Sequence, residues 1–323
     1  MRLSLTVPLL AGLAMLSGAV QTGFEIRDGI FKDAARERDV AYRAYVPSPL
    51  ESEHPVVIFS HGLGGSRRGG AYLGEALAAH GFVSFHIQHE GSDESVWSGK
   101  PRSAAVRALE RSILNPANAL NRFRDLPFVV DQIKALNETD PTLKGRLDLT
   151  RIGMMGHSYG ARSTLIAAGE RIGLFEQSFK EPRIRAGVLL SPNLPNREID
   201  TATAYGDVDI PLFHITGTRD GSPLPSMQDT APEQRLGPYR RINNGADQFL
   251  LVLDKADHMT FSARRIGTAA ETASDARHVR AVRRGVVLFF GAYLKRDKDA
   301  RAILRTDYRQ ELSEADRFER KPR

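Results

Sequence analysis

The chain has 323 residues, 41% hydrophobic and 26% charged, which is an ordinary soluble composition with room for one large domain or two small ones. Its formal net charge of +6 is spread along the chain without a basic tail or a stacked aromatic series, which argues against a nucleic-acid partner. It contains no cysteine, so disulfides, thiolate metal ligands and a cysteine nucleophile are excluded together.

Arg2 is followed by an apolar run, Leu3 to Ala19, broken only by Ser, Thr, Gly and Pro. Ser17-Gly18-Ala19 supplies the small residues that a signal peptidase accepts and predicts cleavage after Ala19. The alternative, a membrane anchor, is marginal at about 17 residues containing Pro8, Gly12 and Gly18. Residues 1–19 are therefore read as a signal peptide. Residues 20–323 are read as a single domain, periplasmic or secreted, with no stable membrane insertion after cleavage.

Beyond residue 24, short β-rich runs alternate with helical stretches. Val40 to Val46 alternates apolar and polar residues as a half-exposed strand does, and Val56 to Ser60 is a continuous apolar run suited to a strand buried on both faces. Ala71 to Ala79 reads as a helix stopped by Gly81, and Phe82 to Ile87 as the next strand. Residues 91–124 are polar, hold the only tryptophan, Trp97, and form a lid-like insertion; such insertions are often lids or binding loops, or else plain surface excursions. A helix with Asp125 as N-cap and Pro127 in its first turn is predicted to run to Leu136. Strands at Arg151–Met155, Ile184–Leu190, Pro211–Thr216 and Gln248–Leu253 follow. Helices at Ser163–Ala168 and Ala276–Leu294 accompany them, and a Pro- and Gly-rich stretch spans 221–247. This alternation builds a mostly parallel sheet with helices on both faces and places ligand sites beyond the carboxyl ends of the strands.

Gly156-His157-Ser158-Tyr159-Gly160 is a G-x-S-x-G match lying between a strand and a helix, the context in which a strained turn pushes the serine hydroxyl outward. His61-Gly62-Leu63-Gly64-Gly65 follows a buried strand, and its glycines allow close backbone approach to a substrate. Acyl transfer needs two fixed N–H donors for the developing oxyanion; the N–H groups of Leu63 and Tyr159 are the candidates. A serine nucleophile needs a base, and the base needs an orienting acid. His258, soon after a strand, is the candidate base. Asp220, in the loop after the buried strand Pro211–Thr216, is the candidate acid, with Asp200, Asp254 and Asp257 as competitors and a turn role as its alternative. His86 and His89 form an H-x-x-H pair, but residues three apart on a strand face opposite sides and nothing completes a ligand set, so no metal is expected.

These residues carry a family resemblance. Phe59 to Gly65, Gly156 to Gly160, Gly217 to Pro223 and Ala256 to Phe261 resemble motifs of the α/β-hydrolase superfamily. Within it they are similar to the predicted dienelactone-hydrolase and platelet-activating-factor-acetylhydrolase-like group. The resemblance implies an α/β-hydrolase fold with a mostly parallel, eight-stranded twisted sheet. It also implies Ser158 as nucleophile, Asp220 as acid, His258 as base, and Leu63 and Tyr159 as oxyanion donors. Dienelactone hydrolases use a cysteine that this chain lacks. Acetylhydrolases of this type can take the acid from an earlier strand, but here that strand ends in Leu190-Ser191-Pro192-Asn193, which favours Asp220.

The expected activity is hydrolysis of a carboxylic ester, small or lipid-like, with no cofactor. An acyltransferase or a peptidase with the same triad, and a non-catalytic binding protein on the same fold, are the rivals. Trp97 and Met259 are candidate substrate contacts. Nothing in the sequence fixes an oligomeric state.

Overall fold

The apolar runs of the sequence assemble, in the computed structural model, into one twisted sheet; residues 23–173, 178–193, 200–222, 224, 231–243, 245–262 and 273–321 are described. The strands are β1 (Gly23–Asp33), β2 (Arg38–Ser48), β3 (His54–Ser60), β4 (Val83–Ile87), β5 (Leu147–His157), β6 (Ile184–Leu190), β7 (Leu212–Arg219), β8 (Gln248–Asp257) and β9 (Arg317–Lys321). Their spatial order is β1-β2-β4-β3-β5-β6-β7-β8-β9. The five pairings from β4 to β8 are parallel, and the outer ones, β1–β2, β2–β4 and β8–β9, are antiparallel.

This is the α/β-hydrolase fold, with nine described strands rather than the eight expected. The two strands that the apolar pattern does not mark are β1 and β9, at the two edges; β9, Arg-Phe-Glu-Arg-Lys, is one in which Phe318 alone packs on the core. An edge strand of alternating charges carries little apolar signal.

The helices are α1 (Ala71–Ala79), α2 (Arg102–Leu114), α3 (Pro116–Thr139), α4 (Tyr159–Ala168), α5 (Thr201–Tyr205), α6 (Gly237–Arg241), α7 (Ala273–Tyr293) and α8 (Lys298–Arg305). Side chains along β3 point alternately to the two faces. Val57 and Phe59 join a core with Leu73 and Leu77 of α1 and with Val282, Val286, Phe289 and Phe290 of α7. Val56 and Ile58 join a second core with Leu126, Val129, Val130 and Ile133 of α3. With helices on both faces, functional groups are left to the carboxyl ends of the strands.

One boundary differs. The helix expected to start at Asp125 starts at Pro116, with Asn115 as its cap: Asn115 Oδ1 accepts from Ala117 N at 2.9 Å. Asp125 is instead buried in mid-helix, its carboxylate taken by Arg38 and His89, and Pro127 lies inside the helix. The stretch 91–124 holds a 3-10 turn at Glu94–Val96, all of α2 and the start of α3. The stretch 221–247 holds a 3-10 turn at Pro232–Leu236 and α6. The expected signal segment, residues 1–19, lies outside the described residues. No described helix is long and apolar enough to cross a membrane.

Candidate active site

Ser158 stands alone between the end of β5 and the start of α4, with φ 54° and ψ −113°. A positive φ on a residue with a side chain costs about 1–3 kcal/mol and persists only where the surroundings impose it. Here they do. A Cβ at Gly160 would lie 1.8 Å from the Ser60 carbonyl oxygen, and one at Gly156 would lie 2.3 Å from the Gly160 carbonyl oxygen. Strand β3, strand β5 and the first turn of α4 are thus in backbone contact, and Ser158 N donates to Leu190 O of β6 at 2.8 Å. The first N–H groups of α4, with their partial positive charge, lie directly behind the serine.

The glycine loop after β3 packs against this turn. A Cβ at Gly62 would lie 3.4 Å from Ser158 Cβ and 3.1 Å from His157 Nδ1. The loop is held from behind by the segment after β4. Gly64 N donates to Ser92 O at 2.8 Å, Glu94 N to Gly65 O at 2.8 Å, and Trp97 Nε1 to Gly64 O at 2.7 Å. His61 Nδ1–H donates to Gly62 O at 2.6 Å while its Nε2 accepts from His89 N at 3.0 Å. Leu63 lies half-buried within this braced loop.

The pairing of Arg219 with Asp257 brings the ends of β7 and β8 together. As a result His258 Nδ1 lies 2.8 Å from Asp220 Oδ1, and Asp220 has no exposed surface. Thr216 Oγ1 donates to Asp220 Oδ2 at 2.8 Å. Burial pushes the Asp220 carboxyl up, but the hydrogen bond and charge of His258, with the charge of Arg235, leave it below the usual carboxylate range. The carboxylate is therefore ionised and accepts the Nδ1–H of His258, which leaves Nε2 as the basic nitrogen.

His157 joins the two halves. Its Nε2–H donates to the His258 carbonyl at 2.9 Å, and the two rings lie 4.8 Å apart. Burial pushes the His157 imidazole down to about 3, so it is neutral. Ser158 Oγ itself makes no hydrogen bond among the described residues. Catalytic hydrogen bonds are often open in unliganded enzymes and tighten with substrate.

The competing carboxylates are engaged elsewhere. Asp257 accepts from Met259 N and Thr260 N in a turn, Asp200 caps α5 through Thr203 N, and Asp254 Oδ1 faces Thr218 Oγ1. His86, on β4, and His89, just beyond its end, are committed to separate partners: His86 Nδ1 goes to Gly69 O at 2.9 Å, and His89 Nδ1 to Asp125 Oδ2 at 2.8 Å. Of the two candidate substrate contacts, Trp97 packs on Gly64 and Met259 is 36% exposed beside His258.

Two buried arginines escaped sequence reasoning. Arg235 is 1% exposed; its Nε donates to the Asp220 carbonyl at 3.1 Å and lies 3.4 Å from Asp220 Oδ1, and its Nη1 donates to Ser191 O at 3.3 Å. Arg122 lies behind the Ser158 turn with no exposed surface. Neither stands in a motif, and a guanidinium in a polar stretch ordinarily reads as a solvated side chain.

The family described as "Platelet-activating factor acetylhydrolase, isoform II" matches residues 30–112, a stretch that includes the glycine loop and ends before Ser158. Platelet-activating factor acetylhydrolase of Canis lupus familiaris is 28% identical over 201 residues, covering 53% of this chain and 42% of that protein. Cutinase est1 of Thermobifida alba is 25% identical over 203 residues, covering 62% and 52% respectively. Cutinase 1 of Thermobifida cellulosilytica is 29% identical over 202 residues, covering 62% and 59%. The chain thus spans about half the length of the curated relatives it matches. It is an α/β-hydrolase by fold, and within that superfamily it resembles the platelet-activating factor acetylhydrolase-like group.

Proposed function

We propose that the protein is a serine hydrolase that cleaves carboxylic esters through an acyl-enzyme. Ser158 is the nucleophile, His258 the base and Asp220 the orienting acid. The observation that carries this reading is the buried Asp220–His258 pair at 2.8 Å, presented at the ends of β7 and β8 beside a serine held at positive φ.

Ser158 Oγ attacks the ester carbonyl as His258 Nε2 takes its proton. Asp220 stabilises the imidazolium and keeps Nδ1 as the donor. Charge developing on the former carbonyl oxygen is received by the N–H groups of Leu63 and Tyr159, each worth about 3–4 kcal/mol in comparable sites. The imidazolium then protonates the departing alcohol. Water, deprotonated by the same imidazole, attacks the acyl-enzyme and releases the acid.

The substrate is a small or lipid-like ester, in keeping with the names of the relatives, and Trp97 and Met259 border its path. The apolar run before Ala19 fits export, which would make the mature domain periplasmic or secreted. Turnover of p-nitrophenyl acetate and butyrate tests the reading. Ser158→Ala should lose at least about a thousandfold in kcat, and a variant that keeps wild-type rates would refute it.

A further inference from the structure

The guanidinium of Arg122, carried on α3, reaches the back of the Ser158 turn. Nε donates to Ser163 Oγ, Nη1 to Ser92 Oγ and Nη2 to Ser60 Oγ, each at 2.9 Å, and Nη2 also donates to the His61 carbonyl. Its central carbon sits 4.5 Å from the centre of the Tyr159 ring.

Each serine passes the bond onward. Ser163 donates to the Tyr159 carbonyl at 3.1 Å, Ser92 to the His89 carbonyl at 3.2 Å, and Ser60 to His89 Nε2 at 3.0 Å. His89 can accept that bond because its Nδ1–H is committed to Asp125 and burial holds its pKa down to about 4, leaving the ring neutral.

A fully buried cation usually faces a carboxylate, because its desolvation costs several kcal/mol. Arg122 has no ion pair among the described residues; the neighbouring Asp125 is engaged by Arg36, Arg38 and His89. A methionine would occupy much of the same space without that cost. What the guanidinium does, and an apolar side chain cannot, is bond to the two separate elements that carry Leu63 and Tyr159.

We propose that Arg122 is a positioning residue of the oxyanion site: it fixes the separation of the Leu63 and Tyr159 amides and sets a positive charge behind them. This rests on the esterase reading above. The two amides belong to different elements, the β3 loop and α4, so their spacing is set by the close backbone packing at Gly160 together with the side chain that bonds to both elements. Donors of this kind need to be held within about 0.5 Å of the productive position. A misplaced pair weakens bonding to the oxyanion and leaves the bound ester largely unaffected, so the loss falls on kcat and spares KM.

The test uses the full chain with p-nitrophenyl butyrate as substrate and phenylboronic acid as a tetrahedral analogue. Arg122→Met should lower kcat by about a hundredfold with KM within about threefold, and should weaken phenylboronate inhibition by a similar factor. Arg122→Lys, which keeps the charge and some of the bonds, should recover about tenfold of that loss. A folded Arg122→Met with kcat within about twofold of wild type, or with its whole loss in KM, overturns the proposal. If Arg122→Met fails to fold, the double variant Ser92→Ala, Ser163→Ala removes two acceptors at less structural cost. It should lose about tenfold in kcat, and an unchanged kcat is again contradictory. Ser158→Ala separates the two claims: if it is inactive while Arg122→Met is normal, only this proposal falls; if it is active, the esterase reading falls with it.

Discussion

Replacing Asp220 by Asn changes one oxygen to an amide nitrogen and removes the charge on which two buried groups depend. Asp220 has no exposed surface and faces His258 Nδ1 at 2.8 Å, Thr216 Oγ1 at 2.8 Å and Arg235 Nε at 3.4 Å. The amide oxygen can still accept from His258 Nδ1, but Arg235 then keeps a buried positive charge with no carboxylate beside it, only the Asp220 and Ser191 carbonyl oxygens and, at 3.3 Å from its Nη2, His258 Nδ1. Breaking one side of such a pair costs about 3–5 kcal/mol of stability. Imidazolium stabilisation in the transition state is lost as well, a kcat effect of about 10³- to 10⁴-fold where the tautomer is also disturbed. The Asp220 carboxyl titrates below its ordinary range, so its ionised form contributes stability above about pH 4, and that contribution is lost as pH falls through the folded value. Asp220→Asn should therefore be less stable than wild type at pH 7, with the difference shrinking towards pH 3. Urea unfolding across that range, with kcat for p-nitrophenyl butyrate at pH 7, measures all three effects. Wild-type stability and wild-type kcat together would refute the reasoning.

Two further predictions follow from the packing. Gly160→Ala sets a Cβ 1.8 Å from a backbone oxygen of β3, which neither element can give way to locally; a loss of about 2–4 kcal/mol in chemical denaturation and at least tenfold in kcat is expected, and a neutral variant would refute the close approach. Glu170 is buried beside Arg162, and burial pushes its carboxyl up to about 7. The fold therefore binds a proton there that the unfolded chain has released, and stability declines as pH rises from about 4.5 to 7. Glu170→Gln should remove that decline, so that its stability relative to wild type rises as pH goes from about 4.5 to 8; an unchanged pH profile of unfolding would contradict it.

The parts of the fold legible in the sequence are those whose signal is local. Helix α1 and strand β6 have the boundaries that their apolar patterns and flanking breakers suggest. Strands β1 and β9 leave little mark in the sequence because edge strands of mixed charge lack the buried run that signals a strand. The start of helix α3 is obscured in the sequence because Asp125 imitates a cap, while the real cap, Asn115 before Pro116, lies in the polar stretch 91–124. Ser158, Asp220 and His258 stand out as candidates in the sequence because each stands in a turn at the end of a strand, and of these the structure pairs Asp220 with His258. Arg122 and Arg235 do not stand out, since burial of a guanidinium depends on acceptors contributed by remote segments: Ser60, Ser92 and Ser163 for one, Asp220 and Ser191 for the other. His157 stands inside the G-x-S-x-G motif, and its bond to the His258 carbonyl arises where the residues at the carboxyl ends of β5 and β8 converge across the two strands between them.

A crystal structure of the protein after reaction with a phosphonate ester tests the catalytic centre most directly. The account predicts phosphorus bonded to Ser158 Oγ, the phosphonyl oxygen within hydrogen-bonding distance of both Leu63 N and Tyr159 N, and His258 Nε2 directed at the adduct with Nδ1 still on Asp220. An adduct on another residue, or an adduct on Ser158 whose oxygen points away from both amides, would contradict it.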